Sequence, residues 1–152
     1  METIGKKDIL QNYKTAFLCS RRYPSSIVSK AYEWAIARRE AGDCVISGFH
    51  SDIERDVFHY LIKGRQPVIM VLARGIYRKV PDELQTEIKK ERLLVISPFS
   101  AHVKVSNRSA MRRNNFMADL ADSIVVAHAS SGGGIEKLIK GLENKGKKVG
   151  FI

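Results

Sequence analysis

Apolar residues fall in short unbroken runs along this chain, and between the runs they recur three and four residues apart. The runs are TAFLCS (Thr15–Ser20), CVIS (Cys44–Ser47), PVIMVLA (Pro67–Ala73), LLVIS (Leu93–Ser97), SIVVAH (Ser123–His128) and the terminal KKVGFI. Each is too short for a helix and lacks the polar alternation of a half-wet strand. Each therefore reads as a strand covered on both faces. The segments IVSKAYEWAIARREAG, IERDVFHYLIKG, PDELQTEIKKE, the stretch around Arg113 and IEKLIKGLENKG carry helical spacing. Ser25 and Ser26 suit the start of the first helix and Gly42 its end. Ser51 or Asp52 caps the second, which Gly64 closes, and Pro81 suits the first turn of the third. Strand–helix alternation with right-handed crossovers predicts an α/β fold: one domain over residues 1–152 with a doubly wound, mostly parallel, Rossmann-like sheet. Residues 1–14 are expected to form a short N-terminal helix or an arm.

Composition narrows the partners. There are 26 Lys+Arg against 16 Asp+Glu, a formal charge of +10. That favours an anionic partner, although a basic solvated surface explains it equally well. Cys19 and Cys44 both sit in apolar runs and read as buried thiols of a reducing, cytoplasmic compartment. No CxxC or HExxH pattern suggests a metal. No run approaches membrane-spanning length, so no membrane partner is expected.

In open parallel sheets, ligands bind beyond the carboxyl ends of the strands. Here those segments are CSRRYPSS, SGFHSD, ARGIYRKVP, SPFSAHVKVSNR and HASSGGG. They supply Ser20, Arg21, Arg22, Ser47, Gly48, Arg74 and Gly75 as candidate ligand residues. Ser131, Gly132, Gly133 and Gly134 follow a strand and open a helix, where free amides and the helix dipole can hold a phosphate. A plain flexible connection has equal weight. The run is neither a Walker A loop nor GxGxxG, so it implies no ATP or NAD, and no cofactor is expected. In the helix around Arg113, the residues Ala110, Asn114, Met117, Ala118 and Ala121 share a face. Asn114 is therefore expected to be buried and hydrogen-bonded to a neighbouring loop. Arg113 is expected at the ligand edge and Arg112 in solvent.

Other residues carry weaker signals. His50 and His128 end strands on the ligand edge, where satisfaction by local backbone is the commoner role. Phe49, Tyr77 and Phe99 each follow a strand and are candidates for stacking a base, or for covering the core. Glu54 reads as a first-turn cap. Trp34, with Tyr32 and Ile36, reads as core.

Together the segments SRRYPS, VISGFHSDIE, IMVLARGIYRKVP, LLVISPF and MRRNNFMADLADSIVVAHASSGG resemble the Rossmann-like domain of DNA-processing protein A, from about Phe17 to the C-terminus. The resemblance rests on Ser47–Gly48, the frame from Val71 to Pro81, and Arg113–Asn114, where that family has an Arg-Asn-Arg run. It implies non-enzymatic binding of single-stranded DNA without strong sequence preference, and transfer of that strand to a recombinase. A homodimer is compatible with it. Cys19 replaces a family glycine, and Asn115 replaces the second arginine. The segment RRNNFMADLAD is also similar to that of the lysine-decarboxylase-like nucleotide phosphoribohydrolases. That resemblance would make Arg113 and Glu136 catalytic, although SSGGGIEKL lacks the proline and threonine of their glycine loop. A sensor of a free nucleotide is a third reading.

Overall fold

The computed structural model describes residues 1–152. In chain order the elements are β1 (Glu2–Ile4), a 3₁₀ turn (Lys7–Gln11), β2 (Lys14–Cys19), α1 (Ser26–Ala41), β3 (Cys44–Ser47) and α2 (Asp52–Leu61). β4 (Val68–Val71), α3 (Asp82–Lys89), β5 (Leu93–Ser97), α4 (Asn107–Leu120), β6 (Ser123–His128), α5 (Gly134–Asn144) and β7 (Val149–Phe151) follow. One seven-stranded sheet has the order β1-β5-β4-β3-β2-β6-β7. Every pairing is parallel except β1 against β5. The α/β, Rossmann-like expectation is met.

The unbroken apolar runs have the expected cause: both faces of the sheet are covered. Along β2, Ala16 and Leu18 enter a core closed by Met117 and Ala118 of α4 and Leu138 and Ile139 of α5. Phe17 and Cys19 enter the opposite core, closed by Ala31 of α1, Val57 of α2 and Leu84 of α3. Alternate residues of one strand thus feed two cores. No helix is long and apolar enough to cross a membrane.

Within residues 1–14 the short helix is a 3₁₀ helix over Lys7–Gln11, and a strand precedes it. Glu2–Ile4 pairs antiparallel with Ser97–Val95 and extends the sheet by one edge strand. A 3₁₀ turn then leads into β2, burying Ile9. Three residues are too few to show a period, so the pattern alone predicts no strand there. At α1 the caps also differ. Ser25 makes no side-chain cap, and α1 begins from backbone turns on Pro24 and Ser25. Gly42 ends it in the left-handed region at φ 77°, where glycine carries no steric penalty.

Candidate functional site

The strand order reverses at β2: β3, β4 and β5 build outward on one side, β6 and β7 on the other. Crossovers leaving such a point in opposite directions open a crevice beyond the strand ends. A cleft of about 390 Å³ lies there. Ser20, Arg21 and Arg22 reach it from β2, and His50 and Ser51 from β3. Glu54 enters from α2, Asn107, Met111, Arg113 and Asn114 from α4, and Ser130, Gly133 and Gly134 from the turn after β6. A second cavity of about 490 Å³ lies beside it over β3 and β4 and includes Gly48, Arg55, Arg74, Tyr77 and Val105. His50 and Arg113 wall both.

Arg113 is the centre of the arrangement. It is only 5% exposed. Its Nε donates to Asn114 Oδ1 at 2.8 Å and its Nη1 to the Val71 carbonyl at 3.3 Å. It takes part in no ion pair, although eight others form in the molecule. Burial pushes its pKa down, the Glu54 charge opposes that, and the Arg21 charge adds to it. A guanidinium stays charged in proteins. A buried charge without a carboxylate partner is costly, and an anion arriving in the cleft relieves that cost. The helical spacing predicts that Asn114 holds a neighbouring loop. Instead it is half-buried and holds Arg113, because its carbonyl oxygen lies beside that side chain's Nε.

The Ser47–Gly48 pair explains how Arg113 comes to lie there. A Cβ on Gly48 would fall onto the Arg113 guanidinium, so the strand end must be bare. Ser47 is fully buried; its Oγ donates to the Phe17 carbonyl at 3.0 Å and tethers β3 to β2. It therefore shapes the edge and does not reach the cleft. Gly75 is also a packing position. A Cβ there would stand 2.6 Å from the carbonyl oxygens of Ser100 and Ala101. Ser20 lines the cleft, but its Oγ accepts from the Ser130 amide at 2.9 Å, joining the turns after β2 and β6. Arg21, Arg22 and Arg74 are exposed with their cations toward the edge cavities.

The glycine run divides. Gly133 and Gly134 line the cleft, whereas Ser131 and Gly132 do not. The Gly132 amide donates to Glu136 Oε1 at 3.2 Å, so the chain's own carboxylate sits at the anion position of that turn. Glu136 is absent from the cleft wall. Gly134 permits α5 to start against Met111 of α4, whose side chain a Cβ would strike.

Glu54 is the other acid of the site. Its Oε1 accepts from the His50 amide at 3.2 Å and from the Ser51 amide and hydroxyl, both at 2.9 Å, while Ser51 Oγ accepts from the Glu54 amide. This capping box starts α2 and places His50 at the cleft rim. The His50 pKa lies below the ordinary histidine value; desolvation leads, and Arg113, Arg21 and Arg55 add to it against Glu54. Burial raises the Cys19 thiol to about 12, so it is no nucleophile at neutral pH. Of the aromatics, Phe49 packs on Phe58 with ring centres 5.0 Å apart and is core. Phe99 is buried beneath the Arg112 guanidinium at 5.3 Å. Of the three loop aromatics only Tyr77 is half-exposed, with Arg74 5.1 Å over its ring. Asn107 and Met111 escaped the sequence reading. Asn107 stands four residues before Met111, and Met111 three before Asn114. That spacing marks one face of α4 and could have found them.

Comparison with known proteins agrees with this fold. The model of the family "DNA recombination-mediator protein A" matches residues 2–151. No curated protein matches. DNA processing protein A from Helicobacter pylori, described as binding single-stranded DNA, superposes with TM-score 0.79 at 15% identity, over 98% of this chain and 69% of its own. DNA processing protein A from Streptococcus pneumoniae gives TM-score 0.79 at 23% identity, over 98% of this chain; this chain spans only 53% of that one. The molybdenum cofactor binding protein of Rippkaea orientalis shares the fold more loosely, with TM-score 0.61 at 14% identity, over 92% of this chain and 76% of its own.

Proposed function

The chain belongs to the DNA recombination-mediator protein A family, and from that premise we propose that it binds single-stranded DNA along the carboxyl edge of its sheet, without catalysis. One observation carries the reading: Arg113, buried, unpaired and shared by two cavities, is an anion receptor in want of an anion. Arg21 and Arg22 from the turn after β2, and Arg74 from the loop after β4, flank it. A cleft of about 390 Å³ falls within the usual range for small-ligand pockets, roughly 300–1,000 Å³, so a nucleotide unit fits. Recognition through phosphates carries no sequence information and leaves base edges unread. Such a grip suits a strand that is to be passed on, and the family's name points to a recombinase as the receiver.

The phosphoribohydrolase reading has less support. It needs Glu136 within reach of the same reacting atom as Arg113, directly or through one water. Glu136 is instead turned onto its own loop. The deciding experiment measures anisotropy of a labelled oligothymidylate over a salt series, beside assays for base release from nucleoside monophosphates. Binding that weakens with salt by about 0.7 log units per log unit for each phosphate neutralised, and that is lost in Arg113→Ala, is the expected result. Base release by the parent protein, lost in Arg113→Ala, would replace binding with hydrolysis.

A further inference from the structure

A third cavity, about 380 Å³, lies further along the same edge between the β4–α3 and β5–α4 loops. Arg74, Arg78, His102 and Lys104 wall it, and no acidic residue does. Arg74 and Val105 are also walls of the second cavity, just as His50 and Arg113 are walls of the first and second. The three hollows therefore adjoin one another in a single file across the sheet edge.

The two loops are fixed platforms. The Gly75 amide donates to the Val103 carbonyl at 3.0 Å, the Val103 amide to the Ser100 carbonyl at 3.1 Å, and Ser97 Oγ to the Arg74 carbonyl at 2.6 Å. The bare Cα of Gly75 allows this close approach to Ser100 and Ala101. Arg74, Arg78 and Lys104 stand exposed on these loops, and none is in an ion pair. An ordinary solvated surface intersperses both signs of charge. In the third cavity one sign is gathered on fixed loops and left unanswered, while Glu83 is the one acid on the wall of the second. Between the cations lie two surfaces suited to bases: the half-exposed ring of Tyr77 and the exposed side chain of Val105.

We propose that the three cavities form one polynucleotide track, in which Arg78 and Lys104 hold phosphates beyond the nucleotide seated at Arg113. This rests on the single-strand reading and deepens it. The preferred ligand is a strand several nucleotides long, and a mononucleotide fills only its beginning. Tyr77 offers the sequence-tolerant stacking face along the way.

Anisotropy with thymidine dinucleotide and with a longer oligothymidylate separates the parts. Arg78→Ala/Lys104→Ala should bind the dinucleotide like the parent. It should lose most of the extra affinity of the long strand, and its salt slope should flatten by about 1.4 if each cation meets one phosphate. Arg113→Ala should weaken both ligands. An unchanged long-strand affinity and slope in the double variant would overturn the track while leaving the Arg113 site standing. A parent protein that binds neither ligand at low salt would overturn both readings. Loss of the same size in Lys145→Ala/Lys148→Ala, at the opposite pole, would reduce the track to general basicity and overturn it as well.

Discussion

An added methyl at Gly48 would occupy the place of the Arg113 guanidinium. Gly48→Ala should therefore mimic Arg113→Ala. A charge-assisted hydrogen bond from that guanidinium to a phosphate is worth about 1.5–3 kcal/mol, so either variant should weaken nucleotide affinity roughly ten- to hundredfold. Titration of both variants checks this, and a Gly48→Ala protein with parental affinity would contradict it. His50 predicts a pH response. Its depressed pKa leaves it neutral in the free protein at neutral pH, and a phosphate beside it would raise that value. Binding then takes up a proton, so affinity should rise as pH falls from about 6.5 toward the free-state value. The stability of the empty protein moves oppositely. The unfolded chain binds the proton more readily, so this contribution is lost as pH falls through the same window. His50→Ala should flatten the affinity profile. Arg113 is legible in the sequence as a candidate from its place in the early turns of a helix on the ligand edge. Its burial is not, because the apolar spacing of Ala110, Asn114, Met117 and Ala121 points to Asn114 as the buried polar residue, whereas Ser109, Arg113 and Met117 are buried. The Arg113–Asn114 contact is not, because neighbours in sequence usually point apart on a helix.

Among the elements, the strands are the clearest in the sequence, since a sheet covered on both faces leaves no polar alternation to confuse with loops. β1 stays hidden because Glu2–Ile4 is too short for a pattern and its pairing depends wholly on β5. The glycine turn before α5 is visible as a strand-to-helix connection and a candidate anion site, but the return of Glu136 to the Gly132 amide depends on how the first turn folds. Capping of α2 by Ser51 is visible from the Ser-x-x-Glu spacing. That box yields a prediction that separates charge from capping. Glu54→Gln keeps an acceptor for the Ser51 amide and removes a negative charge near Arg113. Nucleotide affinity should rise while the melting temperature changes little. Glu54→Ala should also raise affinity but cost about 1 kcal/mol of stability through the missing cap. Denaturant unfolding and anisotropy on the same samples separate the two effects. A fall in affinity for Glu54→Gln would mean that Glu54 itself touches the ligand.

Over the whole molecule, +10 of formal charge attracts polyanions from every side, but the carboxyl edge organises its cations into three adjoining cavities. Lys145 and Lys148 sit at the amino end of β7, on the opposite pole. Removing both lowers the charge by two and should alter the association rate and its salt dependence slightly, leaving the dissociation rate near that of the parent. Stopped-flow traces at low and moderate salt test that split. A single guanidinium divides the first two cavities, and that sets a counting rule. One anion neutralises it, so a second arriving from the other side finds no attraction left. Occupancy of the two sides by separate mononucleotides should therefore be antagonistic, and that antagonism reciprocal, which a competition titration would read. A phosphodiester escapes it, because one shared phosphate serves the nucleosides on both sides. On the proposed track Arg113 would be a register mark, fixing where along the strand the protein begins to count.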